Sequence, residues 1–202
     1  FVNDRSLAQA EIDTLLAWID QGAPRGNPAD MPALPQFPEG EWKLGEPDFV
    51  IKLPEVDIPA EGPDVFKKIP GTVALPEDRW ISAVEINPGA PKVVHHVIVF
   101  QIKGFDVDPS GGWIGAWAAG TEPMVFPEGT GRLMQKGANV IGDMHWHPGG
   151  TAVKDQTRIG LHFAKTQDIQ KELVNLWVIN DDLNIPAGDP NYEIRAKYTF
   201  PQ

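Results

Sequence analysis

The sequence predicts an all-β protein: an antiparallel jelly-roll β-sandwich with a short N-terminal helix and a proline-rich linker. Twenty glycines and twenty prolines in 202 residues favour short strands joined by turns, because both residue types disfavour the interior of a helix. From residue 48 onward, short apolar and β-branched runs alternate with clusters of Gly, Pro, Asn and Asp. Successive strands without intervening helices are typical of an antiparallel sandwich or jelly roll.

The N-terminal segment, residues 1–24, contains the one stretch with helical periodicity, residues 6–22. We expect Ser6 to cap this helix, and Gly22 with Pro24 to end it. The apolar residues that recur at helical spacing are Leu7, Ile12, Leu15, Leu16 and Ile19.

Residues 25–47 form a predicted linker, since prolines recur along the segment and favour an extended chain laid over a surface. Residues 48–202 are predicted to form the β-sandwich domain. Its predicted strands are Phe49–Leu53, Arg79–Ile86, Val93–Ile102, Val140–His147, Thr157–Ala164, Leu173–Ile179 and Tyr192–Tyr198.

A glycine-rich segment, residues 104–138, separates two groups of these strands. It carries Trp113, Trp117, Met124 and Met134. A stretch of this length without secondary structure of its own is uncommon in a compact domain and is usually functional. We therefore predict a structured functional loop.

Composition excludes several classes of function. The net charge of −11 argues against nucleic acid or an anionic membrane surface as a partner. No apolar run reaches the ~20 residues that a membrane-spanning helix needs. The absence of cysteine excludes disulfides, thiolate ligands and covalent haem attachment within these residues.

Four of the five histidines lie in two pairs, His95-His96 and His145-Trp-His147. Alternate residues of a strand share a face, so His145 and His147 should point the same way. His95 and His96 should point to opposite faces, and both can bind one ion only where the strand bulges or ends. Strand geometry alone therefore favours His145, His147 and one histidine of the first pair as metal ligands.

An all-imidazole ligand set suits copper, zinc, iron or nickel. Three histidines can also hold a catalytic zinc, but no Glu or Asp adjoins the pairs in the sequence as an obvious general base. A cupin-type iron or manganese site would need a glutamate four residues after His147, and that residue is Thr151. We interpret Asp143 and Asp155 as turn residues or as groups behind the ligands.

The remaining candidates are weaker. His162 lies in an alternating apolar run and is interpreted as an ordinary strand residue that could reach the site. Met124, Met134 and Met144 offer thioethers to a soft copper ion, although filling the core is their more typical role.

Several segments over about residues 48–200 match the segments of a known family in the same order. They are Val-His-His-Val at 94–97, Ala-Trp-Ala-Ala-Gly at 116–120, Phe-Pro-Glu-Gly-Thr-Gly from 126, Met-His-Trp from 144, Gly-Leu-His-Phe at 160–163 and Asn-Ile-Pro-Ala-Gly from 184. With these segments the chain resembles the N-terminal copper domain of the copper type II, ascorbate-dependent monooxygenases, the family of peptidylglycine α-hydroxylating and dopamine β-monooxygenase. The absence of cysteine fits the bacterial branch of the family.

This resemblance implies a jelly-roll fold and an electron-transfer copper on His95, His96 and His145, with His147 as an additional group at the site. It thus differs from the strand argument, which prefers His147 to one histidine of the first pair. The N-terminal helix resembles the last helix of a bacterial cytochrome c domain, often fused before this copper module.

The function implied is a copper-binding electron-transfer domain that supplies electrons for hydroxylation at a second copper outside this chain. The chain is expected to be a fragment of a longer protein, or a subunit that kept one domain, and not to be catalytic alone. The expected partners are a second copper domain or a redox protein such as a c-type cytochrome, in a periplasmic or extracellular location. The alternative is a metal-binding or structural subunit of a larger redox or membrane-associated assembly.

Overall fold

A computed structural model describes residues 4, 6–34, 40–102, 112–176, 178–180 and 182–199. The chain divides into two compact units, Phe1–Pro38 and Glu39–Gln202, and the division lies within the predicted linker. Among the described residues, every helix is too short or too polar to cross a membrane.

The first unit contains the predicted helix in a shorter form. Ser6 is not its cap, because the Ser6 hydroxyl donates to Asp4 instead, and Ala8 occupies the capping position. The Ala8 N–H donates to Glu11 Oε2 at 2.7 Å, which satisfies one free donor of the first turn. Gly22, with a left-handed φ of +82°, follows the helix end as expected. The helical elements are α1 (Gln9–Asp20) and a 3₁₀ turn at Pro28–Asp30.

The second unit consists of short strands joined by turns, with a further 3₁₀ turn at Thr166–Asp168. The strands in the described part of the chain are β1 (Phe49–Lys52), β2 (Val56–Ile58), β3 (Val65–Thr72), β4 (Arg79–Asn87), β5 (Val94–Ile102), β6 (Trp113–Ala118), β7 (Met124–Val125), β8 (Thr130–Met134), β9 (Asn139–Trp146), β10 (Val153–Asp155), β11 (Arg158–Ala164) and β12 (Lys171–Glu172).

These strands form two principal sheets. The first has the order β1-β11-β4-β8-β12 with β7 beside β4, and the second has the order β3-β9-β5-β6. Strands β10 and β2 form a separate two-stranded sheet. Neighbouring strands are antiparallel except for β12 and β8. The predicted all-β antiparallel sandwich is confirmed, and its jelly-roll connectivity stays a prediction.

One hydrophobic core lies between the two sheets. Ile81 and Leu161 of the first sheet and Val97 and Trp146 of the second are all fully buried in it. Burial of one such side chain contributes about 1.5–3 kcal/mol. The sheets approach closely enough at β6 that a side chain on Gly115 would collide with the first sheet.

The predicted strands near the end of the chain are wrong. Leu173–Ile179 and Tyr192–Tyr198 form no strand in the part of these ranges that the structure describes. Their alternating apolar residues match the period of a strand, but a strand also needs a neighbour to pair with its backbone. Val174 and Ile194 are instead exposed.

The predicted functional loop over residues 104–138 is also wrong for its described part. Residues 112–138 form β6, β7 and β8, which complete both sheets. Residues 104–111 lie outside the described residues. Glycines spread along the segment obscured the strand pattern, because isolated glycine also occurs where strands pack closely.

The last residues of the predicted linker pack on the first sheet. The backbone N–H groups of Lys43 and Leu44 donate to the buried Glu85 carboxylate at 2.6 and 3.1 Å. Trp42 is buried over Gly160, where a Cβ atom would lie 2.9 Å from the indole ring. The absence of a side chain at Gly160 thus makes room for the tryptophan.

Candidate metal centre

The two histidine pairs meet because β5 and β9 are antiparallel neighbours with an irregular register. His96 lies opposite His145, while Val94 lies opposite Trp146, so His95 is an extra residue on β5. Such a bulge breaks the alternation of side chains between the two faces. From the sequence, His95 and His96 could share one ion only if the strand bulged or ended there. The structure has such a bulge.

His95, His96 and His145 form a compact group. One ring nitrogen from each lies within 4.8 Å of the others. The Nδ1 atoms of His95 and His96 are 3.1 Å apart. The centroid of the His145 ring lies 4.5 Å from the ring centroid of His95 and 4.9 Å from that of His96. Ligand nitrogens on one ion with bonds of about 2 Å are separated by about 3–4 Å, so small ring rotations would complete the set.

His145 presents a ring nitrogen that a metal ion could use. Its Nε2 is 2.7 Å from Asp64 Oδ2, whereas its Nδ1 is buried without a hydrogen-bond partner. A buried unsatisfied polar atom costs about 1–3 kcal/mol, and a metal ion on Nδ1 would remove that cost. Phe66 stacks on the ring at a centroid distance of 4.1 Å. The residues present therefore fit a bound metal.

The three histidines differ in their exposure to solvent. His95 is exposed, His96 is half-buried, and His145 is buried with 8% of its surface exposed. A metal held by these three rings would be close to the protein surface.

His147 is not a member of the three-histidine group. Its side chain is 70% exposed, and its Nδ1 lies 2.6 Å from Asp64 Oδ1. Its backbone N–H donates to Val93 at 2.8 Å, which continues the pairing of β9 beyond the bulge. Metal ligation by His147 stays a prediction.

Asp64 is the site residue that sequence reasoning missed. It directly precedes β3, and the pairing of Phe66 with His145 brings its carboxylate between His145 on β9 and His147 just beyond the strand. An acidic group therefore lies beside the histidines in the folded protein, although no acidic residue is next to them in the sequence. Asp64 and His145 are 81 positions apart. No local motif marks such a pair, and only the β3–β9 register would have found it.

Hydrogen bonds from His147 and His145 hold the pKa of Asp64 below its usual value. The carboxylate is therefore ionised at neutral pH and acts only as an acceptor. Consequently His147 Nδ1 and His145 Nε2 carry the protons in these two bonds.

His96 is tuned in the direction that favours metal binding. Burial, followed by the neighbouring rings of His145 and His95, lowers its pKa from the usual 6.5. The neutral imidazole is the form that ligates a metal. His96 therefore keeps this neutral form to lower pH than an unperturbed histidine would.

The weaker ligand candidates, His162 and the three methionines, lie outside the three-histidine group. His162 lies on β11 in the first sheet and is not part of the three-histidine group. Met134 and Met144 are buried in the core. Met124 lines an open groove of about 410 Å³ together with His96 and other residues.

Two carboxylates that the sequence suggested near the site also have other partners. Asp143 pairs with Lys68 at 3.0 Å. Asp155 accepts hydrogen bonds from the Trp146 indole at 3.1 Å and the Thr157 hydroxyl at 2.9 Å. These contacts give both aspartates a structural role.

Comparison of the chain with protein-family models, with curated proteins and with solved structures gives no match. The resemblance to the copper monooxygenases accordingly stays a prediction from the sequence.

Proposed function

We propose that this chain is a copper-binding electron-transfer domain of a copper type II monooxygenase-like protein. It would supply electrons for hydroxylation at a second copper outside the chain. The convergence of His95, His96 and His145 from two strands is the observation that carries the proposal.

The chemistry of the donor set supports copper. Copper bound to three neutral imidazoles, with neither thiolate nor carboxylate, has both Cu(I) and Cu(II) accessible and can carry one electron. The chain supplies these donors through a bulge that aligns His95 with His96 and through burial that lowers the pKa of His96. Exposure of His95 leaves a short path between the site and a redox partner.

Asp64 does not favour a zinc hydrolase. Both of its carboxylate oxygens are engaged by histidine rings, at 2.7 and 2.6 Å. The carboxylate faces His145 Nε2, whereas the ring nitrogen without a hydrogen-bond partner is Nδ1. A general base must reach the water on the metal, so an aspartate behind the ligand ring is poorly placed for that role.

The proposal includes partners and a location. A second copper domain or a redox protein such as a c-type cytochrome would exchange electrons with the site, and the setting would be periplasmic or extracellular. The chain alone would then hydroxylate no substrate.

The alternative function is a metal-binding or structural subunit of a larger redox or membrane-associated assembly. It is favoured by the exposed apolar side chains beyond β12, since large exposed apolar surface marks interaction sites. The members of this set with more than half of their surface exposed are Val174, Val178, Ile179, Leu183 and Ile185.

Anaerobic reduction of the copper-loaded chain, followed by addition of oxygen, separates the two functions. We expect the Cu(II) spin signal to bleach on reduction and return with oxygen, without hydroxylated product. A signal that never bleaches would favour the structural subunit, and stoichiometric product would overturn the electron-transfer assignment. The matched controls are His145→Ala, which should hold no copper, and His162→Ala, which should behave as the unmodified chain.

A further inference from the structure

Asp64 links the candidate centre to the histidine left outside it. Its Oδ2 lies 2.7 Å from His145 Nε2, and its Oδ1 lies 2.6 Å from His147 Nδ1. One carboxylate thus bridges one member of the three-histidine group and one exposed histidine. Both contacts are short enough to be charge-assisted hydrogen bonds.

The bridge determines which nitrogen of His145 is free. Because a carboxylate only accepts hydrogen bonds, the proton of the neutral His145 ring is on Nε2. The lone pair is then on Nδ1, which is the buried atom without a partner. The stacked Phe66 ring, at 4.1 Å and an interplanar angle of 19°, opposes rotation of the imidazole out of this position.

We propose that Asp64 is the positioning residue of the metal centre: it holds the Nε2 proton of His145 so that Nδ1 binds the ion, and His147 holds Asp64 in place. The inference rests on the proposed function only in requiring that a metal binds at the three histidines. It assigns His147 a role behind the ligands and makes Asp64 part of the centre without direct contact to the metal.

The arrangement has a physical benefit for metal affinity. A carboxylate on the far nitrogen fixes the tautomer of a ligating histidine and makes its other nitrogen more basic. His147 occupies the second oxygen, which limits rotation of Asp64. Loss of such a partner typically weakens metal binding by about 10–100-fold.

Zinc titration of the metal-free chain and of two Asp64 variants tests the proposal, because diamagnetic zinc also permits NMR of the histidine rings. Asp64→Ala should weaken zinc binding by about 10–100-fold, since neither a charge nor an acceptor remains. Asp64→Asn retains one acceptor oxygen and should lose less. The Asp64 side chain is 39% exposed, so both variants should fold, as circular dichroism would verify.

Asp143→Asn is the matched control. It removes a negative charge from β9 near His145, but its carboxylate pairs with Lys68. We expect its zinc affinity to change less than that of Asp64→Asn. An equal loss in the two amide variants would show that only general electrostatics matters, and would overturn the positioning role.

Nitrogen-15 spectra of the zinc-loaded chain provide the readout that a purely structural role would not change. His145 should show a metal-bound Nδ1 and a protonated Nε2 whose proton exchanges slowly with water. In Asp64→Ala that proton should exchange faster.

The possible failures are distinguishable. Zinc on His145 Nε2, or unchanged affinity in Asp64→Ala, would overturn the role of Asp64 while leaving a metal site. Absence of zinc and copper binding in the unmodified chain would overturn the proposed function together with this inference.

Discussion

His95 and His96 are adjacent in the chain, whereas His145 and His147 are separated by a buried tryptophan. Nevertheless, both rings of the adjacent pair enter the three-histidine group and only one ring of the spaced pair does. On β5, the extra residue of a bulge brings adjacent side chains together. At the end of β9, Asp64 contacts both His145 and His147, but only His145 belongs to the three-histidine group.

The number of histidines that each pair contributes therefore depends on the register between β5 and β9 more than on the spacing of the histidines in the sequence. The period of two correctly relates His145 to His147, since both face Asp64 while Trp146 points into the core. It fails at His95, where the strand departs from regular pairing. A regular β5 would have given the site one histidine from the first pair.

Removal of a ligand from the bulged pair is expected to have the largest effect. His96→Ala should weaken copper binding by more than about 100-fold, because a direct ligand contributes more than the 10–100-fold of an outer partner. Isothermal titration of Cu(II) into the metal-free chain measures the change, with His162→Ala as the control. Retention of full affinity in His96→Ala would exclude the bulged pair from the site.

The tryptophan between the other two histidines should matter for the fold instead. Trp146 is fully buried, and Trp146→Ala should lower the free energy of unfolding by about 3–5 kcal/mol. His145→Ala should lower the unfolding free energy of the metal-free protein by less. Urea denaturation of the two variants provides the comparison, and a larger loss for His145→Ala would mean that the histidine is primarily a core residue.

His147→Thr should have a mild effect on metal binding, since His147 contacts Asp64 and is absent from the three-histidine group. Copper affinity should fall by no more than about 10–100-fold. Complete loss of copper in a titration would establish His145 and His147 as the true ligand pair. The spaced pair would then contribute both of its histidines to the site, as the adjacent pair does in the proposed centre.

The smallest expected effect concerns pH. Burial lowers the pKa of His96 below 6.5 in the folded protein, so the unfolded chain binds this proton more tightly. Titration of His96 therefore leaves the unfolding free energy of the metal-free protein unchanged above about pH 6.5, and lowers it as the pH falls below that value. Urea denaturation at about pH 7.5 and about pH 5.5 should show a weaker pH dependence for His96→Gln. An identical dependence would contradict the assigned burial effect.

Much of the fold could be predicted because apolar alternation coincides with burial in the central strands. Arg79–Ile86 and Val93–Ile102 agree with β4 and β5 to within one residue at each end. The same pattern over Tyr192–Tyr198 gave a wrong strand prediction, because periodicity does not reveal whether a neighbouring strand exists. Strand existence is thus readable from a sequence only where a partner is available.

Less of the candidate site could be predicted. The histidines themselves are conspicuous, and strand geometry identified a bulge as the condition for using both His95 and His96. Asp64 was not found, because its relation to His145 depends on the pairing of β3 with β9 across a large part of the chain. Long-range register of this kind is set by the packed sheet and has no local signature.

X-ray absorption spectroscopy of the chain loaded with one equivalent of copper would count the histidine ligands of the proposed centre, because imidazole rings give a distinctive scattering pattern. We expect three imidazoles on copper in the unmodified chain and in His147→Thr, unchanged spectra for His162→Ala, and no bound copper in His145→Ala. Three imidazoles that persist in His145→Ala, or that fall in number in His147→Thr, would contradict a centre built from His95, His96 and His145.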